Sequence, residues 1–103
     1  MAEELVLRAV VFKEGDVWLA QCIEYDICAQ AATVEEVKER LLATLACECE
    51  STMATGGAPF SGIDPAPVGF ERLWEHATSF RATGDLTVPG RRDPIDVSMA
   101  LAA

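Results

Sequence analysis

Two apolar, strand-like segments lie close together near the start of the chain. Residues 5–12 are almost continuously apolar and rich in β-branched side chains, and residues 17–23 repeat that composition. Between them, residues 13–16 read Lys-Glu-Gly-Asp, which is typical of a tight turn. The pattern predicts a β-hairpin, and the rest of the chain has to cover it.

The hairpin is apolar on both of its faces. Successive side chains of a strand point to opposite faces, yet only Arg8 and Gln21 interrupt the apolar pattern of the two strands. In a small sheet with one solvent-exposed face, every second residue of a strand would be polar. We therefore expect both faces to be covered, one by a helix and the other by a further part of this chain or of a second chain.

A helix is predicted to follow a short third strand at residues 27–32. Thr33 and Glu36 have the spacing of a capping box, so the helix should begin at Val34. Its apolar stripe includes Leu41 and is expected to pack on the sheet face that carries Trp18, Ala20 and Cys22. If the helix continued, its periodicity would place the charged Glu48 on that apolar stripe. We therefore expect the helix to end between residues 47 and 52.

This order of hairpin, short strand and helix resembles the HicB-type antitoxin family over roughly residues 5–50. Members of that family begin the helix with Thr-x-Glu-Glu-Ala, and this chain has Thr-Val-Glu-Glu-Val at residues 33–37. Trp18 lies where the family has an aromatic residue just past the hairpin, and residues 25–27 (Tyr-Asp-Ile) lie where it usually has Pro-Asp-Leu. The resemblance implies a regulatory protein that masks a small, basic, RNA-binding toxin.

The second half of the chain is expected to add a helix and a strand. Residues 51–67 are rich in Gly and Pro and predict a loop, with Phe60 as a packing anchor. Apolar residues at helical spacing follow and continue as far as Phe80, with Gly84 ending the helix. Alternation from Ile95 to Leu101 predicts a terminal strand. The expected fold class is α+β, in a single domain of residues 1–103: a small antiparallel sheet in a β-β-β-α core, then a second amphipathic helix and a C-terminal strand.

Charge and hydropathy limit the classes of partner. The formal net charge is −9, which argues against direct binding of a nucleic-acid backbone. No apolar run approaches the roughly 18 residues of a membrane span. The chain opens with Met-Ala-Glu-Glu rather than a basic signal-peptide segment, and we expect a cytoplasmic protein.

The sequence predicts no metal site and no cofactor. The four cysteines lack the paired spacing of a zinc site, and they are expected to be reduced and mostly buried. The single histidine, His76, has no evident partner for acid–base chemistry. The sequence contains no Gly-Lys phosphate-binding motif, no Gly-x-Ser-x-Gly motif and no metalloprotease His pair.

Three functional hypotheses remain. The first is a non-enzymatic, antitoxin-like module that binds a small basic toxin-like protein. The second is a stand-alone homo-oligomer of the same fold, a dimer or dimer of dimers, which holds a small ligand. The third is an enzyme that uses Glu24 and Asp26, two residues apart near a strand end, as acid and base. We favour the non-enzymatic hypotheses and predict no catalytic residue; the predicted partner or oligomer interface consists of Val10, Phe12, Leu19, Ile23, Glu24, Asp26 and Trp74.

We predict that the protein alone does not bind nucleic acid, because an acidic surface repels phosphates. Residues 1–50 hold 11 of the 17 acidic residues and only 4 of the 8 basic ones. Gel-shift assays with duplex DNA and structured RNA at low salt are the measurement, since low salt strengthens any phosphate contact. A tight complex under those conditions would contradict the prediction.

Overall fold

The computed structural model describes residues 5–77 and 80–102, with only the backbone described for residues 80–83. No cis peptide bond occurs among these residues. Five strands form one sheet in the order β3-β2-β1-β5-β4, and two helices accompany it. This confirms the α+β class. The elements in chain order are β1 (Val6–Glu14), β2 (Val17–Cys22), β3 (Cys28–Ala31), α1 (Val34–Ala54), α2 (Val68–His76), β4 (Phe80–Leu86) and β5 (Ile95–Leu101).

Strand β1 lies at the centre of the sheet and is paired along both edges. On one side it pairs antiparallel with β2, which in turn pairs antiparallel with β3, as the hairpin and short-strand patterns predict. On the other side it pairs parallel with β5, whose residue Val97 lies opposite Leu7. The sheet is therefore mixed, because the terminal strand returns in the same direction as the first.

Helix α1 begins at Val34 as predicted. The Oγ1 of Thr33 accepts a hydrogen bond from the backbone N–H of Glu36 at 3.2 Å, which satisfies one of the free amides of the first turn. The helix ends at Ala54, beyond the predicted limit at residue 52. Its apolar stripe continues through Cys49 and Met53, so Glu48 remains exposed and does not interrupt the packing.

The main core lies between α1 and one face of the sheet. The face carrying Ala20 and Cys22 packs against Leu41, with half-buried Trp18 at its margin, as predicted. Phe60, anticipated as an anchor in the loop, is also fully buried in this cluster. The fully buried helix residues are Val37, Leu41, Leu45 and Cys49.

The second helix is shorter than predicted. It ends at His76, and Phe80, which we had placed in that helix, opens β4 instead. Gly84, the predicted helix stop, lies inside β4 opposite Val97 of β5. The segment alternates apolar or small residues with Arg, Thr and Asp, which is a strand pattern, but its Ala and Gly are poor strand formers and weaken that signal. An edge position in the sheet tolerates them, and pairing with β5 decides the conformation.

Helix α2 packs on the second sheet face of its own chain. The loop before the helix is tied to the loop between β2 and β3 by backbone hydrogen bonds. Asp26 N–H donates to the carbonyl of Asp64 at 2.6 Å, and Ala66 N–H donates to the carbonyl of Ile23 at 3.0 Å. These bonds fix where α2 begins, and the helix then runs beneath β1.

The helix orientation can be tested by two substitutions of unequal effect. Leu41→Ala leaves a cavity in a fully buried position and should lower the free energy of unfolding by about 2 to 5 kcal/mol. Thr33→Ala removes one exposed capping bond and should cost only about 1 kcal/mol. Urea unfolding measures both values. Small and equal losses would contradict the packing of α1 on the sheet.

Candidate partner-binding surface

The predicted interface residues of the sheet differ in their exposure. Val10 is fully buried and Ile23 is 5% exposed, so both are interior residues of the folded chain. Phe12 and Leu19 lie opposite each other on β1 and β2 and are half-buried. The structure therefore leaves only the latter pair within reach of another molecule.

Helix α2 covers this face incompletely. The ring of its Phe70 lies 6.0 Å from the ring of Phe12, measured between centroids. No residue of α2 is buried, and Val68 and Leu73 are 72% and 36% exposed. The half-exposed sheet residues and the incompletely covered apolar residues of α2 are together called the α2 surface, which consists of Phe12, Leu19, Val68, Phe70, Leu73 and Trp74.

Glu24 lies in the loop after β2 and binds Arg8 of β1 through both carboxylate oxygens. Its Oε1 accepts from the backbone N–H of Arg8, and its Oε2 accepts from the guanidinium Nε, each at 2.6 Å. Both side chains are about a third exposed or less, at 31% for Arg8 and 27% for Glu24. The pair joins the two strands at the open end of the hairpin, where β2 ends.

Arg8 connects this pair to helix α2. Its guanidinium carbon lies 5.9 Å from the centroid of the Trp74 ring, within the range of a cation–π contact. Its Nη2 donates to Glu71 Oε1 at 3.3 Å. The hydrogen bond to Glu24 is the main cause that raises the pKa of Arg8, and Glu71 adds to it. Arg8 is therefore the charged link between the sheet and the inner side of α2.

Asp26 is exposed and has a different partner. Its Oδ1 accepts from the side-chain amide of Gln21 at 3.0 Å, and that amide also donates to the carbonyl of Cys22 at 3.0 Å. The buried Gln21 is thus satisfied by its own loop. Glu24 and Asp26 each hold a structural hydrogen bond, and the arrangement favours a role in fixing the loop over a role as an acid–base pair.

The cysteines are all free, but they are less buried than predicted. Cys22 and Cys49 are buried, whereas Cys28 and Cys47 are exposed. Burial raises the pKa of the Cys22 thiol to about 11, so this side chain is a protonated core residue at neutral pH. Within the described part of the chain, no three His, Cys, Asp or Glu side chains come together as a metal site would require.

Sequence reasoning missed a second feature, a cleft of about 500 Å³ at one end of the sheet. Its lining includes Tyr25 and the neighbouring Arg91 and Arg92, none of which was predicted from the sequence to belong to a site. Two adjacent arginines in a strongly acidic chain were a signal that could have marked the segment. The remaining lining residues are Leu5, Met53, Ala58, Pro59, Gly90 and Asp93.

Comparisons with protein-family models, with curated proteins and with solved structures find no match to this chain. In the parts of the chain that the structure describes, neither helix has the length and apolar character needed to cross a membrane.

The Arg8–Glu24 pair should contribute to stability. Glu24→Gln keeps the shape of the side chain but removes its charge, and it should lower the free energy of unfolding by about 1 kcal/mol. A double-mutant cycle with Arg8→Gln should give a coupling energy of similar size. The matched control is Glu39→Gln on the exposed side of α1, where the change should stay below about 0.5 kcal/mol. Equal effects at Glu24 and Glu39 would show that the pair has no stabilising role.

Proposed function

We propose that this chain is a non-enzymatic, protein-binding regulatory module, similar to a HicB-type antitoxin, whose α2 surface binds a small basic protein. The observation that carries the proposal is that the second sheet face is only partly covered by α2. Helix α2 lies on that face, yet it has no buried residue and exposes Val68 and Leu73. An apolar region of this kind, bordered by polar residues, is typical of a site of protein association.

The charges around the α2 surface favour a basic partner. Glu71 and Glu75 are exposed on α2 itself, beside the exposed Arg72, and Asp26 and Asp64 are exposed in the two loops that hold its start. Acidic residues at the margin of an apolar contact speed the approach of a basic protein and fix its orientation. An RNA-binding toxin is basic for its own function, so the acidic margin supports this class of partner.

The arrangement of the hydrogen bonds supports a binding role over a catalytic one. Glu24 is engaged by Arg8 through both carboxylate oxygens, and Asp26 accepts from Gln21. Arg8 in turn contacts Trp74, so the predicted residues Glu24 and Trp74 meet through one cation. These contacts hold the sheet residues beneath α2 in place. A binding surface that is ordered before the partner arrives loses less conformational entropy on binding.

The test is coexpression with each small basic protein encoded beside this chain, followed by calorimetric titration of the purified pair. Leu73→Glu places a charge in the apolar region and should weaken the complex at least about 10-fold. Ala43→Glu adds the same charge at an exposed position of α1 and is the matched control, with an expected change of less than about twofold. A complex that tolerates Leu73→Glu would refute the α2 surface as the binding site.

The homo-oligomer is the second candidate, because the same apolar region can bind a second copy of the chain. Light scattering of the purified protein at micromolar concentration distinguishes a homo-oligomer from a monomer that binds a different protein. A dimer that dissociates with Leu73→Glu and survives Ala43→Glu would assign the α2 surface to self-association. Truncation near Gly90 is a poor test, since it removes β5 from its position between β1 and β4.

A further inference from the structure

The cleft lies where separate parts of the chain meet at one end of the sheet. Strands β1 and β5 are parallel and begin at this end, and the antiparallel β2 and β4 finish here. The lining comes from Leu5 before β1, Tyr25 after β2, Met53 in the last turn of α1, residues 58–59 in the loop after α1, and the loop between β4 and β5. A volume of about 500 Å³ is within the usual range for small-molecule sites.

One wall of the cleft is rigid. Tyr25 stacks on Phe60 with ring centroids 4.5 Å apart and planes inclined by 20°. Phe60 is 1% exposed, and its backbone adopts the left-handed region with a φ of 62°. A bulky residue keeps that conformation only when its surroundings hold it. Burial of the ring does so here, together with the 2.9 Å hydrogen bond from Phe60 N–H to Thr52 Oγ1.

Another part of the lining is cationic. Arg91 and Arg92 both line the cleft, although the chain as a whole carries a formal charge of −9. The positive charge of Arg91 also acts on Cys49: it opposes the effect of burial, which raises the pKa of that thiol. Arg91 is therefore placed beside the last turns of α1. Asp93 lines the cleft as well and offsets one of the two positive charges.

We propose that this cleft binds a small monocarboxylate with an aromatic or branched apolar body. A planar guanidinium matches the two oxygens of a carboxylate, which accounts for the arginine wall. Leu5, Met53 and the Tyr25 ring provide the apolar contact for the rest of the ligand. Asp93 leaves the lining with an excess of one positive charge, so a monoanion fits it better than a polyphosphate.

The site is independent of the protein-binding role. None of its lining residues belongs to the α2 surface. A chain with Leu73→Glu should bind the carboxylate as the unaltered chain does, and a failure of one proposal leaves the other standing.

Titration of the full, isotopically labelled chain with phenylacetate, followed by NMR, tests the proposal. The backbone amides of Gly90, Arg91 and Arg92 should shift saturably, with a Kd of about 1 mM or tighter. Phenylacetamide has the same shape without the charge, and it should bind at least about 10-fold more weakly. No saturable shift with phenylacetate, or equal binding of the amide, would overturn the proposal.

Arginine variants show whether binding depends on this wall. Arg92→Gln changes an exposed side chain, so the fold should survive, and the Kd should rise at least about 10-fold. Arg72→Gln removes an exposed cation of α2 outside the cleft and is the matched control, with an expected change of less than about twofold. Arg91→Lys keeps the charge but loses the planar fork, and it should weaken binding several-fold. An unchanged Kd for Arg92→Gln, or an equal loss with Arg72→Gln, would refute the site.

Discussion

Pairing of β1 along both edges is the constraint on which the rest of the structure depends. It pairs with β2 on one side and with β5 on the other, and β5 lies at the far end of the chain. A central strand of this kind is apolar on both faces because each face is covered by a helix. Helix α1 covers one face with four fully buried residues, whereas α2 covers the other with none. The unequal cover is the origin of the α2 surface.

The loop between β2 and β3 connects the two candidate sites. Glu24 binds Arg8 beneath α2, Tyr25 lines the cleft and stacks on Phe60, and Asp26 is bonded to the loop that precedes α2. Three consecutive residues thus have three separate roles. The loop is held from both sides, since Gln21 also donates to Asp26. Both sites consequently rest on backbone that is already ordered in the free chain.

The α2 surface and the cleft differ in the charge of the residues around them, and the ligands proposed for them differ accordingly. Exposed acidic side chains outnumber basic ones on α2 and its preceding loop, and the net charge of −9 opposes the approach of a polyanion. The cleft is the exception, because Arg91 and Arg92 provide a local positive potential that is strongest at short range. A polyanion would meet the repulsion of the whole chain, while a small monoanion with an apolar body meets much less of it.

The sequence by itself determined the elements whose signals are local. Apolar, β-branched runs on either side of a turn predicted β1 and β2, alternation predicted β5, and the Thr33 cap together with the apolar stripe predicted the start and orientation of α1. The course of β4 was missed because the Ala and Gly of Phe80–Leu86 weaken its alternating pattern, and pairing with β5 decides that the segment is a strand. The burial of Val10 and Ile23 within the folded chain, and the cleft itself, also needed the fold. The residues of the cleft are spread from Leu5 to Asp93, and no local pattern records that parallel pairing of β1 with β5 brings them together.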